Sequence, residues 1–207
     1  MVMDTPEGVD AADAIREAGE ERARDERFRQ RAAIVIGLLA MLLAITGLGG
    51  ANATKEMLNA NIQASDTWAF YQAKNIRQTS NQLAAEELQA LLLTQPTLAA
   101  DARAQIQQRL DGFRATAARY ESEPSTGEGK QELQARAQSF EQRRDRAAQQ
   151  DPNFDYAQAL YQIAIVLGSV SIVATSRRLL GLAIALGVVA TVLMLNGFVL
   201  LVPLPSA

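Results

Sequence analysis

Charge is missing from three stretches of this chain, and that absence constrains its fold more than any other feature. Every Asp, Glu, Lys and Arg lies in residues 1–31, in residues 52–156, or in the pair Arg177–Arg178. The uncharged runs are AAIVIGLLAMLLAITGLGGA at 32–51, AQALYQIAIVLGSVSIVAT at 157–175 and LLGLAIALGVVATVLMLNGFVLLV at 179–202, the last closed by Pro203 and Pro205. A helix of about 20 apolar residues crosses a hydrocarbon core of ~30 Å. The expected fold is an all-α membrane protein with three transmembrane helices, and its first expected partner is a lipid bilayer. A soluble domain with three such helices in its core is the competing reading. It fails on size, because 207 residues leave too little chain to cover them. The first run is read as an anchor rather than a cleaved signal. Ala51-Asn52-Ala53 has the small-x-small form of a cleavage site, but the run exceeds a usual signal core and a long charged segment precedes it.

Arginines near the span ends set the expected orientation. Arg22, Arg24, Arg27, Arg29 and Arg31 precede the first span, and Arg177 and Arg178 fill the turn between the second and third. An odd number of crossings puts both groups on one side, expected to be cytoplasmic. Arg27, Arg29, Arg31, Arg177 and Arg178 are then candidate contacts to anionic headgroups as well as topology determinants. Residues 52–156 would lie outside, in the periplasm of a Gram-negative cell. Arg143, Arg144 and Arg146 before the second span argue the other way.

The polar segments read as helices. Residues 1–31 form a charged N-terminal helix, with Thr5 as N-cap, Pro6 at the first helical position, and a thin apolar stripe of Val9, Ala12 and Ile15. Residues 52–156 carry no strand pattern and are rich in good helix formers. They are expected to make an extramembrane helical hairpin domain, coiled-coil-like but without a strict heptad. Its first helix covers about 52–94, continuous with the first span unless Gly49–Gly50 bends it, and Pro96 ends it. The second covers about 97–121, with Leu98, Ala102, Ile106, Leu110, Phe113, Ala117 and Tyr120 as an amphipathic stripe. The third covers about 130–150, with Leu133, Ala137 and Phe140 inward, and Asp151–Pro152 stops it. The inward faces are small, so neighbouring copies of the chain are expected to supply missing burial.

The stretch SDTWAFYQAKNIRQT at 65–79 holds the single tryptophan. At about 100° per residue, Trp68 and Tyr71 share one side of a helix, and Phe70, Lys74 and Arg77 the other. Rings on both sides imply a helix clamped between two neighbours. Aromatics and arginine are also enriched at interface hot spots. Trp68, Phe70, Tyr71, Lys74 and Arg77 are therefore the candidate protein-interface residues. Two weaker readings are packing within one chain, and a cation–π ligand site at Phe70, Lys74 and Arg77.

The chain has a net charge of −3 and contains neither histidine nor cysteine. That removes the usual neutral-pH proton shuttle, thiolate chemistry and the commonest metal ligands. Mild acidity gives no pull toward nucleic acid. No catalytic, cofactor-binding or metal-binding residue is expected, and the chain is not expected to be an enzyme.

The short charged lead, the first span, the run Trp68-Ala69-Phe70-Tyr71-Gln72-Ala73-Lys74-Asn75-Ile76-Arg77-Gln78 and the two closely spaced C-terminal spans together resemble an uncharacterised bacterial membrane-protein family, a domain of unknown function. The likeness covers nearly the whole chain. It implies the bacterial inner membrane and no activity. The expected function is a membrane-anchored helical scaffold or assembly subunit. It would act by homo-oligomerisation or as an accessory subunit of a larger membrane complex. The alternative is an oligomeric pore or transport-related protein, for which Asn196 and Thr46 are nearly the only polar groups at membrane depth.

Overall fold

The computed structural model describes residues 6–203, with side chains from Arg16 onward. Thr5 and the side chains of Val9, Ala12 and Ile15 lie outside that description. The described residues form α1 (Pro6–Thr94), α2 (Ala100–Glu121), α3 (Lys130–Val173) and α4 (Arg177–Val199), with no strand among them. Three of these helices are long and apolar enough, by length and composition, to cross a membrane. α1 runs unbroken through Gly49–Gly50 and ends two residues before Pro96, whose ring disfavours helical backbone at Gln95.

The chain divides into two compact units. One combines the chain up to Thr54 with everything from Ala148 onward, and the other is Lys55–Ala147.

In the first unit α3 runs antiparallel to the lower part of α1, and α4 runs parallel to it. Leu39, Ala157, Tyr161, Ala164, Ala190 and Met194 form the core. Small residues set the helix separations. A β-carbon on Gly168 would stand 2.9 Å from Ile36, and one on Gly187 would stand 2.5 Å from Leu39. The Phe154 ring fills a socket between Gly49, Gly50 and Gly197 and stacks edge-on against Phe198, with ring centroids 5.0 Å apart. Large aliphatics face outward instead. Ile34, Leu38, Leu48, Val166, Val188, Val192 and Leu195 are each about half exposed or more. The unit is small and partly polar inside, large and apolar outside.

The expected stop at Asp151–Pro152 is corrected: α3 continues through Pro152 to Val173. Proline removes one helical N–H and crowds the preceding turn. The missing N–H is the one that would reach the Ala148 carbonyl; one position on, the Asn153 side-chain amide donates to the Gln149 carbonyl at 3.1 Å. Asn153 Oδ1 in turn accepts from Asn196 Nδ2 at 2.6 Å. Asn196 Oδ1 accepts the backbone N–H of Leu201 and Val202 at 3.1 and 3.0 Å. This arrangement holds the end of α4, where Leu200 adopts a left-handed φ of 55°.

In the second unit the expected stripes face inward. Leu110 and Ala117 of α2, and Leu133 and Ala137 of α3, are buried. The core is alanine-rich, with Leu110 and Leu133 its only fully buried large aliphatics among the described residues. α1 presents Ala60, Ala64, Thr67, Tyr71, Lys74, Gln78, Asn81 and Ala85 inward in alternating steps of four and three. The connection between α2 and α3 is pinned by one carboxylate. Glu132 accepts from Ser122 Oγ at 2.7 Å and from the Glu123 backbone N–H at 3.1 Å.

Candidate functional sites

The inward stripe of α1 passes between Trp68 and Phe70, so the two rings flank it, about 160° apart around the helix. Trp68 is half-buried and donates its indole N–H to Glu141 at 2.9 Å. Tyr71 meets Trp68 edge-on at 5.4 Å, and Lys130 lies 5.5 Å from the Tyr71 ring centroid. Lys74 does not point outward with Arg77. It is buried, with its ammonium 3.2 Å from Glu128 and between the rings of Phe70 (5.2 Å) and Tyr120 (5.3 Å). Of the group Phe70, Lys74 and Arg77 expected to share one side, Lys74 and Phe70 stay together and Arg77 does not, since it is exposed. An ammonium can occupy an inward position because its stem packs as hydrocarbon while two ring faces and a carboxylate receive the charge.

Gln78 continues the same polar seam. Its amide donates to the Ala117 carbonyl and to Glu121 at 3.2 and 2.9 Å, and its oxygen accepts from Lys130 at 2.8 Å. Hydrogen bonds from Gln78 first, then Gln131, with Lys130 adding charge, hold the Glu121 carboxyl below its ordinary range. Hydrogen bonds from the Ser122 hydroxyl and the Glu123 N–H do the same for Glu132. Within this unit, Trp68, Tyr71 and Lys74 are engaged by the chain's own hairpin. Phe70 stays partly exposed and Arg77 is exposed.

The opposite side of α1 was not singled out by the sequence reading. It carries Ile62, Ala69, Ile76 and Leu83 at intervals of seven. Ile62, Ile76 and Leu83 are 57%, 66% and 55% exposed. The sevenfold spacing was a legible signal. It was masked because Ser65, Gln72 and Thr79 stand between the apolar positions.

In the first unit the two arginine groups come together. Arg24, Arg27 and Arg31 of α1 and Arg177 of α4 line one open cleft of about 500 Å³, with Phe28 and Leu180 as its apolar part. Arg29 and Arg178 do not line it. Arg24 and Phe28 were missed as site residues, although Arg24, Arg27, Phe28 and Arg31 keep the i, i+3, i+4, i+7 spacing of a single helix face. The polar groups weighed for a pore are engaged internally. Thr46 donates to the Leu42 carbonyl at 2.7 Å, and Asn196 is held as described above.

Among the described residues no cluster of His, Cys, Asp and Glu is arranged to hold a metal. The geometry defines an all-helical protein with an apolar-faced three-helix unit and a polar-seamed helical unit. The chain belongs to the family described as Domain of unknown function (DUF4337), whose sequence profile matches residues 28–200. No curated protein and no solved structure matches it.

Proposed function

We propose that this protein is a multi-pass membrane scaffold that assembles with copies of itself through α1. Membrane anchorage is supported by the inside-out character of the first unit. Large aliphatics such as Ile34, Leu38, Val166 and Val192 face outward over three helices of spanning length. The bacterial inner membrane is its proposed location. Residues 52–156 would be periplasmic and the arginine-bearing end cytoplasmic.

The observation that carries the assembly reading is the exposed seam of Ile62, Ala69, Ile76 and Leu83 on α1. Its inward face is already filled by α2 and α3. Apolar residues spaced by seven keep one line along the helix apolar, and a second copy offers the same line to cover it, with Ser65, Gln72 and Thr79 as polar positions between. Each Ile or Leu buried there contributes on the order of 2 kcal/mol. Partly exposed Phe70 and exposed Arg77 lie beside the seam and suit the rim of such an interface.

The test is the mass of the detergent-solubilised full chain by size-exclusion chromatography with light scattering. The parent should run as more than one protomer. Ile76→Glu combined with Leu83→Glu should reduce it to a single protomer with unchanged helical circular dichroism. A parent already at one protomer mass, or a double variant that keeps the parent's mass, overturns the reading. A partner of different sequence co-purifying in fixed ratio would assign the seam to a larger complex instead.

A further inference from the structure

The arginine cleft of the first unit is built for an anion. Arg24, Arg27 and Arg31 project from one face of α1, and Arg177 reaches the same space from the first turn of α4. Arg24 is partly neutralised by Glu20 at 3.2 Å. Arg27 uses its Nε on the Ala23 carbonyl at 3.0 Å, which leaves its terminal nitrogens available. Among the described residues no carboxylate lies within ion-pair distance of Arg27, Arg31 or Arg177. Three guanidiniums thus share a cleft without a counter-charge among the described residues.

A second feature points the same way. α4 starts at Arg177, and Ser176 makes no side-chain capping hydrogen bond. Its first-turn N–H groups therefore lack a side-chain acceptor, and the positive end of the helix dipole faces the region of Arg177. Guanidinium forks and free helix N–H groups are the donors that phosphate oxygens accept from.

Position selects the kind of phosphate. The uncharged run of α1 begins at Ala32, one residue after Arg31, and the outward aliphatics Ile34 and Leu182 follow within a turn or so on their helices. Buried Phe28 and half-buried Leu180 form the apolar side of the cleft. The cleft therefore lies at the boundary between charged and apolar surface of its own unit. A ligand with a phosphate above and hydrocarbon below fits that boundary, and its volume of about 500 Å³ is in the range of small-molecule sites.

We propose that Arg24, Arg27, Arg31 and Arg177 form a binding site for the phosphate of an anionic membrane phospholipid. This rests on the membrane reading above and narrows it. A diffuse collar would use all the arginines near the membrane alike, whereas the cleft uses Arg31 and Arg177 and leaves out Arg29 and Arg178. Guanidinium pairs grip the phosphate by parallel N–H bonds, so lysine at the same positions keeps the charge but loses the fork.

The experiment uses the full chain in neutral detergent. Phosphatidylglycerol, phosphatidylcholine and inorganic phosphate are the probes, and binding is followed by native mass spectrometry. The parent should retain phosphatidylglycerol over phosphatidylcholine. Arg31→Gln with Arg177→Gln should weaken phosphatidylglycerol binding roughly tenfold or more, and the corresponding lysine pair should fall between. Arg29→Gln with Arg178→Gln, which removes equal charge outside the cleft, should bind like the parent. Equal loss in both glutamine pairs would mean a collar and overturn the site. Equal retention of both lipids by the parent would also overturn it. Binding of inorganic phosphate that displaces phosphatidylglycerol would assign the cleft to a soluble phosphate compound and overturn the lipid assignment. Carbonate extraction of parent and variants separates the two readings. A parent stripped from membranes refutes the anchor itself, while one that stays inserted without lipid preference refutes only the cleft.

Discussion

Replacing Gly49 with alanine adds one methyl group, yet it should destabilise the protein. In a solvated helix the same change gains up to ~1 kcal/mol from helix propensity. Here the new β-carbon would stand 2.6 Å from Phe154 Cε1, 2.9 Å from Cζ and 3.0 Å from Cδ1. Carbon atoms rest about 3.5–4.0 Å apart, so the ring must retreat by about 1 Å. It has little room to do so. Gly197 backs it on another side, where an added β-carbon would lie 2.9 Å from the same ring, and Phe198 stacks edge-on against it. Overpacking of this kind costs typically ~1–3 kcal/mol. The net expectation is a loss of up to about 2 kcal/mol after the propensity gain. For a chain of this size that corresponds to a few degrees of unfolding temperature. Gly112 is the internal control, since nothing lies within 4 Å of its would-be β-carbon. The assay is thermal unfolding of the detergent-solubilised chain, followed by circular dichroism. Gly112→Ala should match or exceed the parent, Gly49→Ala should fall below it, and adding Phe154→Leu to Gly49→Ala should recover part of the loss. If Gly49→Ala melts at or above the parent, the glycine socket does not constrain the helices and the reasoning fails.

Acid should weaken the second unit. The folded pKa values of Glu121 and Glu132 are depressed by their hydrogen bonds, so their stabilisation is complete above the unfolded value of ~4.3 and is lost as pH falls through the folded values. The melting temperature of the parent should drop between neutral pH and about pH 3, and Glu132→Gln should flatten that dependence; an unchanged slope would remove Glu132 from the account. Orientation is read by introduced thiols, because the chain has no native cysteine. Cysteine placed at Ser125 should react with an impermeant reagent in spheroplasts, and one at Ser176 only after lysis, whereas the opposite pattern would invert the topology without touching the number of crossings.

The three apolar helices were legible because the exclusion of charge is a property of consecutive residues. The inner face of α2 was legible for a similar reason: Leu98 to Tyr120 repeats at helical spacing, and every member of that stripe is buried or half-buried. The run of α3 through Pro152 was not legible, since the contact that ties this turn to its surroundings joins Asn153 to Asn196, more than 40 residues away. The burial of Lys74 was not legible, because the angle of a residue on its own helix does not say which neighbour meets it. The partners of Lys74, Tyr120 and Glu128, lie on segments that only the fold brings near. The 4-3 pattern of α1 was hidden by those same polar residues, Thr67, Lys74, Gln78 and Asn81, at inward positions. The meeting of Arg31 with Arg177 was half legible. Counting crossings put both groups on one side, but only the packing of α1 against α4 selects Arg177 over Arg178 for the cleft.

The alanine-rich core of the second unit also governs its calorimetry. Unfolding heat capacity rises with the apolar area newly exposed to water. Ala60, Ala64, Ala85, Ala117, Ala137 and Ala147 expose little, and Leu110 and Leu133 are the large aliphatics of this unit that are buried in full. The free-energy curve of this unit against temperature should therefore be shallow, with a broad, weakly cooperative transition and cold denaturation pushed far below freezing. Covering Ile62, Ile76 and Leu83 would steepen that curve by adding the hydration increment that the isolated core lacks.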